Sequence, residues 1–326
     1  MIDCHAHLLP DIFLKRLRAS AESDPSLKTV LDWYDGGFQS RLPEACTRYF
    51  FGSLLDRVAM LDGAGIDCQL ISPATILTFP PDTNSRAELV SAWNDAVSAE
   101  AARTGSRFKV LFGVPLPDIE ASILETRRML ALDTTAGVAM PTHVNGISLA
   151  DSRWDELYEV WNEEALTVFV HPSDFRVPKL FDPSLSKDLG TQIEDTLAVV
   201  ELYESNVAAR FPRISWVIAH LGGIISFLLG RFDEHWERDK DLRQLSDFPS
   251  RSLDRLFFDT AGHDVDAIEF AARKLGPDKF VLGSDFPMVA TDDYAGLVER
   301  VKRAIGEDHV SQVLDRNPRE LFRVSS

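Results

Sequence analysis

The sequence predicts an α/β chain folded as a single (β/α)₈ barrel across residues 1–326, with an insertion after the first strand at about residues 10–52. Two observations predict it. Short apolar runs rich in β-branched residues alternate about eight times with segments of helical period. No low-complexity linker interrupts the 326 residues, a length that suits one large barrel. A doubly wound open sheet is the alternative arrangement of the same elements.

The first strand is expected over Met1 to Cys4. Further buried strands are expected at Gly65 to Ser72, Phe108 to Val114, Gly137 to Met140, Leu166 to Val170, Ile214 to Ala219, Leu256 to Phe258 and Phe280 to Leu282. Helices are expected between them: Leu54 to Leu61, Arg86 to Arg103, Ile119 to Leu132, Trp154 to Ala165 with Ser152 as N-cap, Thr191 to Phe211, Asp266 to Leu275 and Tyr294 to Ile305. Gly276-Pro277 is a helix stop. The polar stretch from Pro10 to Gly52 breaks the rhythm and reads as an insertion over the barrel mouth. His171 to Asp188, with three prolines, reads as a second mouth loop.

Acidic residues exceed basic ones by 51 to 34, for a formal charge of −17. Such a surface repels phosphate backbones, which argues against a nucleic-acid partner. Cys4, Cys46 and Cys68 are few, scattered and odd in number, as expected in a reducing, cytoplasmic setting. No apolar run is long enough to span a membrane, and the first residues do not read as a signal peptide.

In a barrel, chemistry sits where strands end. The polar groups that end the apolar runs are His5 and His7, His171, His220 and Asp285. Alternate residues of a strand share a face, so His5 and His7 can both turn inward and share one divalent ion. Imidazole suits Zn²⁺ and its first-row neighbours, and Asp285 would complete a mixed nitrogen and oxygen site. Each group alone has a plainer reading. His171 could be a satisfied core histidine, and Asp285 before Phe286-Pro287 a turn residue. Five such groups at four strand ends are hard to explain by packing alone. His143 and His263 could border the pocket, whereas His235 and His309 lie in charged stretches. Cys4, by strand alternation, should point away from the axis.

At these residues the sequence resembles the amidohydrolase superfamily, and within it the branch containing aminocarboxymuconate semialdehyde decarboxylase. The matching motifs are Asp3-Cys4-His5-Ala6-His7, Gly65-Ile66-Asp67 with Ser72-Pro73, Val170-His171-Pro172, Ala219-His220-Leu221-Gly222-Gly223, Phe258-Asp259-Thr260 and Gly283-Ser284-Asp285-Phe286-Pro287. The resemblance implies a distorted (β/α)₈ TIM barrel with one divalent metal, Zn²⁺ or Mn²⁺. It implies His5, His7, His171 and Asp285 as ligands and His220 as the catalytic histidine, with Asp285 also moving a proton. Arg231 matches an arginine that reaches the substrate carboxylate of a neighbouring subunit, which implies a homodimer. Arg41 and Arg48 are the candidates for a second substrate-binding arginine. No lysine matches a carboxylated bridging ligand, so one metal is expected rather than two. The implied reaction is non-oxidative decarboxylation of an aromatic or muconate-like carboxylic acid. A hydrolase of a lactone or amide, or a hydratase, is the alternative. A non-enzymatic metal-binding barrel is a third reading, and it would require a missing ligand.

Overall fold

The computed structural model describes residues 1–32, 44–73, 77, 79–172, 189–245, 249–262, 264–288 and 293–324. Among these, eight parallel strands follow one another around a barrel: β1 (Ile2–His7), β2 (Cys68–Ser72), β3 (Phe108–Phe112), β4 (Thr135–Pro141), β5 (Thr167–His171), β6 (Ser215–Ile218), β7 (Leu256–Asp259) and β8 (Phe280–Val281). The ring closes beyond β8. Cys4 N–H donates to Leu282 O at 2.8 Å and His7 N–H to Phe286 O at 2.7 Å. An isolated parallel bridge joins Ala6 to Phe286. The expected barrel is therefore present, and the open sheet is excluded.

Two apolar layers hold it. Ile2, Cys4, Cys68, Leu70, Leu111, Phe169, Val217 and Val281 fill the interior, with Phe322 and Val324 of the C-terminal segment packed against them. Outside, Val110, Val138, Val168, Ile218 and Phe258 face helices that carry Trp93, Trp161 and Leu202. This two-sided burial explains why the strands read as unbroken apolar runs. Most expected helices lie within a residue or two of the observed bounds, as in Arg86–Ala102, Val265–Leu275 and Tyr294–Ile305. The Trp154 to Ala165 expectation needs correction. Asp151, not Ser152, supplies the cap, accepting from Arg153 N at the head of a short 3₁₀ turn that leads into Asp155–Glu163.

Cys4 also needs correction. The register of β1 on β2 shifts between Asp3 and Ala6. Below the shift Ile2 and Cys4 face the interior, and above it His5 and His7 do. Simple alternation fails because a bulge turns two successive residues to one side. The same shift sends Asp3 outward, where its carboxylate accepts from Gln69 Nε2, Tyr294 Oη and Ser284 Oγ.

Between residues 10 and 52, the described residues form helices Asp11–Ala21, Leu27–Asp32 and Glu44–Phe50. Arg41 and His263 lie outside the described residues, as does most of the second mouth loop.

Candidate metal centre

β1 ends on His5 and His7, β5 ends on His171, and His220 opens the turn after β6. Asp285 lies on the segment that closes the ring. These strand-end positions bring all five groups to one place. His5 Nε2 lies 3.0 Å from His7 Nε2. Asp285 Oδ1 lies 3.0 Å from His7 Nε2 and 3.4 Å from His5 Nε2. The His171 ring is 4.9 Å from the rings of both His5 and His7, centroid to centroid.

The other ring nitrogens decide what these atoms can do. His5 Nδ1–H donates to Asp259 Oδ2 at 2.6 Å, and His7 Nδ1–H to the Ser72 carbonyl at 3.2 Å, with the Ser72 hydroxyl, which can accept or donate, at 3.0 Å from the same nitrogen. His171 Nδ1–H donates to the Pro172 carbonyl at 2.6 Å and His220 Nδ1–H to Asp195 Oδ2 at 2.9 Å. Carbonyls and carboxylates at these sites only accept, so each Nδ1 carries its proton. In the neutral ring each Nε2 then offers a bare lone pair, and all four point into one buried volume. That is the outer-sphere pattern of metal-binding histidines. Ligand atoms about an ion with bonds of ~2.0–2.2 Å sit roughly 3.0–3.5 Å apart. The His5–His7–Asp285 triangle has that size. The donor set fits a divalent ion.

His5, His171, His220 and Asp285 also form a four-residue group with donor atoms within 4.8 Å of one another. We give His220 a different place from His7. His220 Nε2 faces the second oxygen of Asp285, at 3.8 Å from Oδ2, rather than the oxygen that closes the triangle. Asp285 thus has one oxygen toward His5 and His7 and one toward His220.

Electrostatics agree with a cation-seeking site. Burial pushes His7 and His171 below the ordinary histidine range. Burial opposes charge on His5 too, but Asp259 and Asp285 lift it to about 9. Burial opposes ionisation of Asp285, yet the neighbouring His220, His5 and His7 rings hold it well below the carboxylate range. Burial pushes Asp195 up to about 7, while the Asp195 carboxyl raises His220 well above its usual value.

A pH dependence follows. In the ion-free protein His5 is raised from 6.5 to about 9, so its proton stabilises that form fully below about 6.5. This contribution is lost as pH rises through about 9. An ion must displace the proton, so binding near pH 7.5 should release about one proton and tighten toward pH 9. Calorimetry of Mn²⁺ binding in buffers of different ionisation enthalpy measures the release, and none would contradict His5 as a ligand.

Two of the five clustered residues have an unusual backbone conformation. His220 and Asp285 both have positive φ, at 50° and 54°. Gly223, with φ of 67°, has no room for a Cβ, which would meet Gln192 O at 2.1 Å. Gly283 clears space for Asp259, whose Cβ would lie 2.8 Å from an added methyl. Arg57 is fully buried beneath the mouth, donating to Tyr49 O at 2.9 Å and also to His7 O.

The remaining expected residues sit apart. Arg48 is exposed, its guanidinium 5.6 Å from the Tyr49 ring, which in turn is 5.1 Å from Phe286. Arg231 is exposed on helix Ile225–Arg238, on the same face as exposed Ile224 and Phe227. His235 is exposed, as its charged setting implies. Lys109 bonds to Asp133 O at the start of β3, away from the cluster. Asp195 escapes sequence reasoning because it lies on helix Thr191–Glu204, not at a strand end. Asp259 ends β7, so the strand-end criterion applied evenly would have found it.

The chain is similar to several known proteins. The chain is 26% identical over 254 residues to a 2-amino-3-carboxymuconate-6-semialdehyde decarboxylase of Dictyostelium discoideum, covering 76% of this chain and 70% of that one. Its fold is similar to that of 5-carboxyvanillate decarboxylase from Sphingomonas paucimobilis, with a TM-score of 0.81 at 21% identity over 100% and 99% of the two chains. A dihydroxybenzoic acid decarboxylase from Polaromonas sp. JS666, solved with bound manganese and 2-nitroresorcinol, has a TM-score of 0.80 at 17% identity over 99% and 96%. The amidohydrolase family model matches residues 2–324, nearly the whole chain, and the protein belongs to that family.

Proposed function

We propose that this protein is a metal-dependent carboxy-lyase that removes CO₂ from an aromatic or muconate-like carboxylic acid. The observation that carries the reading is the set of four histidines whose Nδ1 protons are all engaged, around a carboxylate shared with His220. His5, His7, His171 and Asp285 would hold one ion, Zn²⁺ or Mn²⁺. When bound, the ion supplies Lewis acidity toward substrate oxygen.

The chain's own groups handle the proton. Decarboxylation breaks the carbon–carboxylate bond, leaves its electron pair on carbon and places a proton there. Asp195 fixes the His220 ring, and His220 Nε2 faces Asp285 Oδ2. These two groups form the proton path to the carbon that loses CO₂, acting as general acid and base. Low exposure of His171 and His220 keeps bulk water from that path.

The relatives' names support the substrate class, since they act on muconate-type and hydroxylated aromatic acids. An exposed stripe of Ile224, Phe227 and Arg231 supports a homodimer in which Arg231 holds the carboxylate bound by the partner protomer. Sedimentation that finds only monomer at assay concentration would exclude it. Cys4, Cys46 and Cys68 are buried and form no disulfide with one another, which supports a reducing, cytoplasmic location. Among the described residues no helix is long and apolar enough to cross a membrane.

The test is CO₂ release from hydroxybenzoates and muconate semialdehydes, before and after chelation and with Mn²⁺ or Zn²⁺ restored. Ion-dependent CO₂ release, lost by on the order of 10³-fold on chelation, is expected. Ring opening or water addition without CO₂ would instead support a hydrolase or hydratase.

A further inference from the structure

The three rings expected to bind an ion are held at Nδ1 in two different ways. His7 and His171 meet backbone carbonyls, those of Ser72 and Pro172. The ring of His5 instead meets a carboxylate, with Nδ1 at 2.6 Å from Asp259 Oδ2. Asp259 ends β7 and, like His5, is fully buried. Its other oxygen is also engaged. Oδ1 accepts from His220 N–H at 2.8 Å and from Ala261 N–H at 2.9 Å. Its Cβ and Cγ occupy the space that a side chain at Gly283 would need, each 2.8 Å from an ideal Cβ there. One carboxylate therefore touches the ring of His5, the backbone of His220 and the segment that leads to Asp285.

These contacts fix the plane of the carboxylate from both ends. Two N–H donors converge on Oδ1, so that place can hold only an acceptor. Oδ2 is thereby aimed at His5 Nδ1, and in the neutral ring only the Nδ1–H tautomer satisfies it. That tautomer leaves Nε2 bare, 3.0 Å from His7 Nε2 and 3.4 Å from Asp285 Oδ1.

We propose that Asp259 is a positioning residue that holds His5 in the one tautomer whose Nε2 can bind an ion, and that the His220 and Ala261 N–H groups lock it in that task. This rests on the proposed function only in taking His5 as a ligand, not in requiring loss of CO₂. Replacement by the amide makes the two oxygens unlike. In Asp259→Asn the two N–H donors still demand an oxygen, so the carbonyl stays at the Oδ1 place. The N–H₂ group then falls opposite His5 Nδ1. Two donors facing each other in a buried place leave both unsatisfied. The ring avoids this by accepting at Nδ1 and carrying its proton on Nε2, where the ion would bind.

The experiment titrates Mn²⁺ into ion-free wild type and Asp259→Asn by calorimetry, and locates the ion in crystals of both at saturating Mn²⁺. The variant should bind Mn²⁺ about 10–100-fold more weakly. Its ion should keep His7, His171 and Asp285 and lose His5. A carboxylate that acts only through its charge predicts weaker binding with His5 still bonded as in wild type, and that result overturns the proposal. So does an affinity within about twofold of wild type, which is what a residue that only holds the His220 turn predicts. A second measurement needs no variant and decides the matter if Asp259→Asn does not fold. In wild type loaded with Zn²⁺ and labelled with ¹⁵N-histidine, long-range proton–nitrogen spectra should find His5 with its proton on Nδ1 and the ion on Nε2. An ion on Nδ1, or an Nδ1 without a proton, overturns the proposal. Wild-type crystals with the ion away from His5 would remove the proposed metal site as well, whereas the other adverse outcomes remove only the role of Asp259.

Discussion

Asp285→Asn is expected to lower kcat for CO₂ release by on the order of 10³-fold while leaving the protein folded. The fold should survive because position 285 has a φ of 54°, a conformation that asparagine tolerates well. The loss should be large because both oxygens are engaged. Oδ1 closes the triangle with His5 and His7, and Oδ2 faces His220. The amide is neutral, which weakens the hold on an ion. Its N–H₂ group, placed where Oδ2 stood, would present a donor to His220 Nε2 in place of a charged acceptor. Single-turnover CO₂ release with metal content measured in parallel separates the two losses. A variant within about tenfold of wild type would remove Asp285 from the chemistry.

Gly223→Ala should cost about 2–4 kcal/mol and also lower kcat. The added Cβ would lie 2.1 Å from Gln192 O and 2.4 Å from Thr196 Oγ1, at a φ of 67°. Gln192 O is backbone, so relief requires helix Thr191–Glu204 to shift. That helix carries Asp195, which orients His220 at 2.9 Å. Stability and catalysis should therefore fall together. Gly230→Ala is the control. Gly230 lies inside helix Ile225–Arg238 with nothing within 4 Å of its Cβ position. There the same substitution should stabilise by up to about 1 kcal/mol. Thermal melting of both variants checks the opposite signs, and equal shifts would show that the Gly223 contact is not what matters.

The barrel is legible in the sequence because its strands are buried on both sides, and two-sided burial leaves runs such as Thr167-Val168-Phe169-Val170 without polar interruption. His5, His7, His171, His220 and Asp285 are legible because a barrel delivers strand-end residues to one mouth. What escapes has physical causes. The inward turn of Cys4 depends on a register shift that the local pattern does not encode. Asp195 meets His220 from a helix 25 residues earlier, and no short-range spacing marks such a contact. Gly146 N–H holds His143 Nδ1 in a hairpin of two-residue strands, His143–Val144 with Ile147–Ser148, too short to leave a periodic signal.

The most direct test is a crystal structure of the Mn²⁺-loaded protein with anomalous data at the manganese edge. The account predicts one ion at roughly 2.0–2.3 Å from Nε2 of His5, His7 and His171 and from an oxygen of Asp285, with His220 Nε2 not bonded to it. An ion bound by His220 in place of His7, or none among these residues, would contradict it.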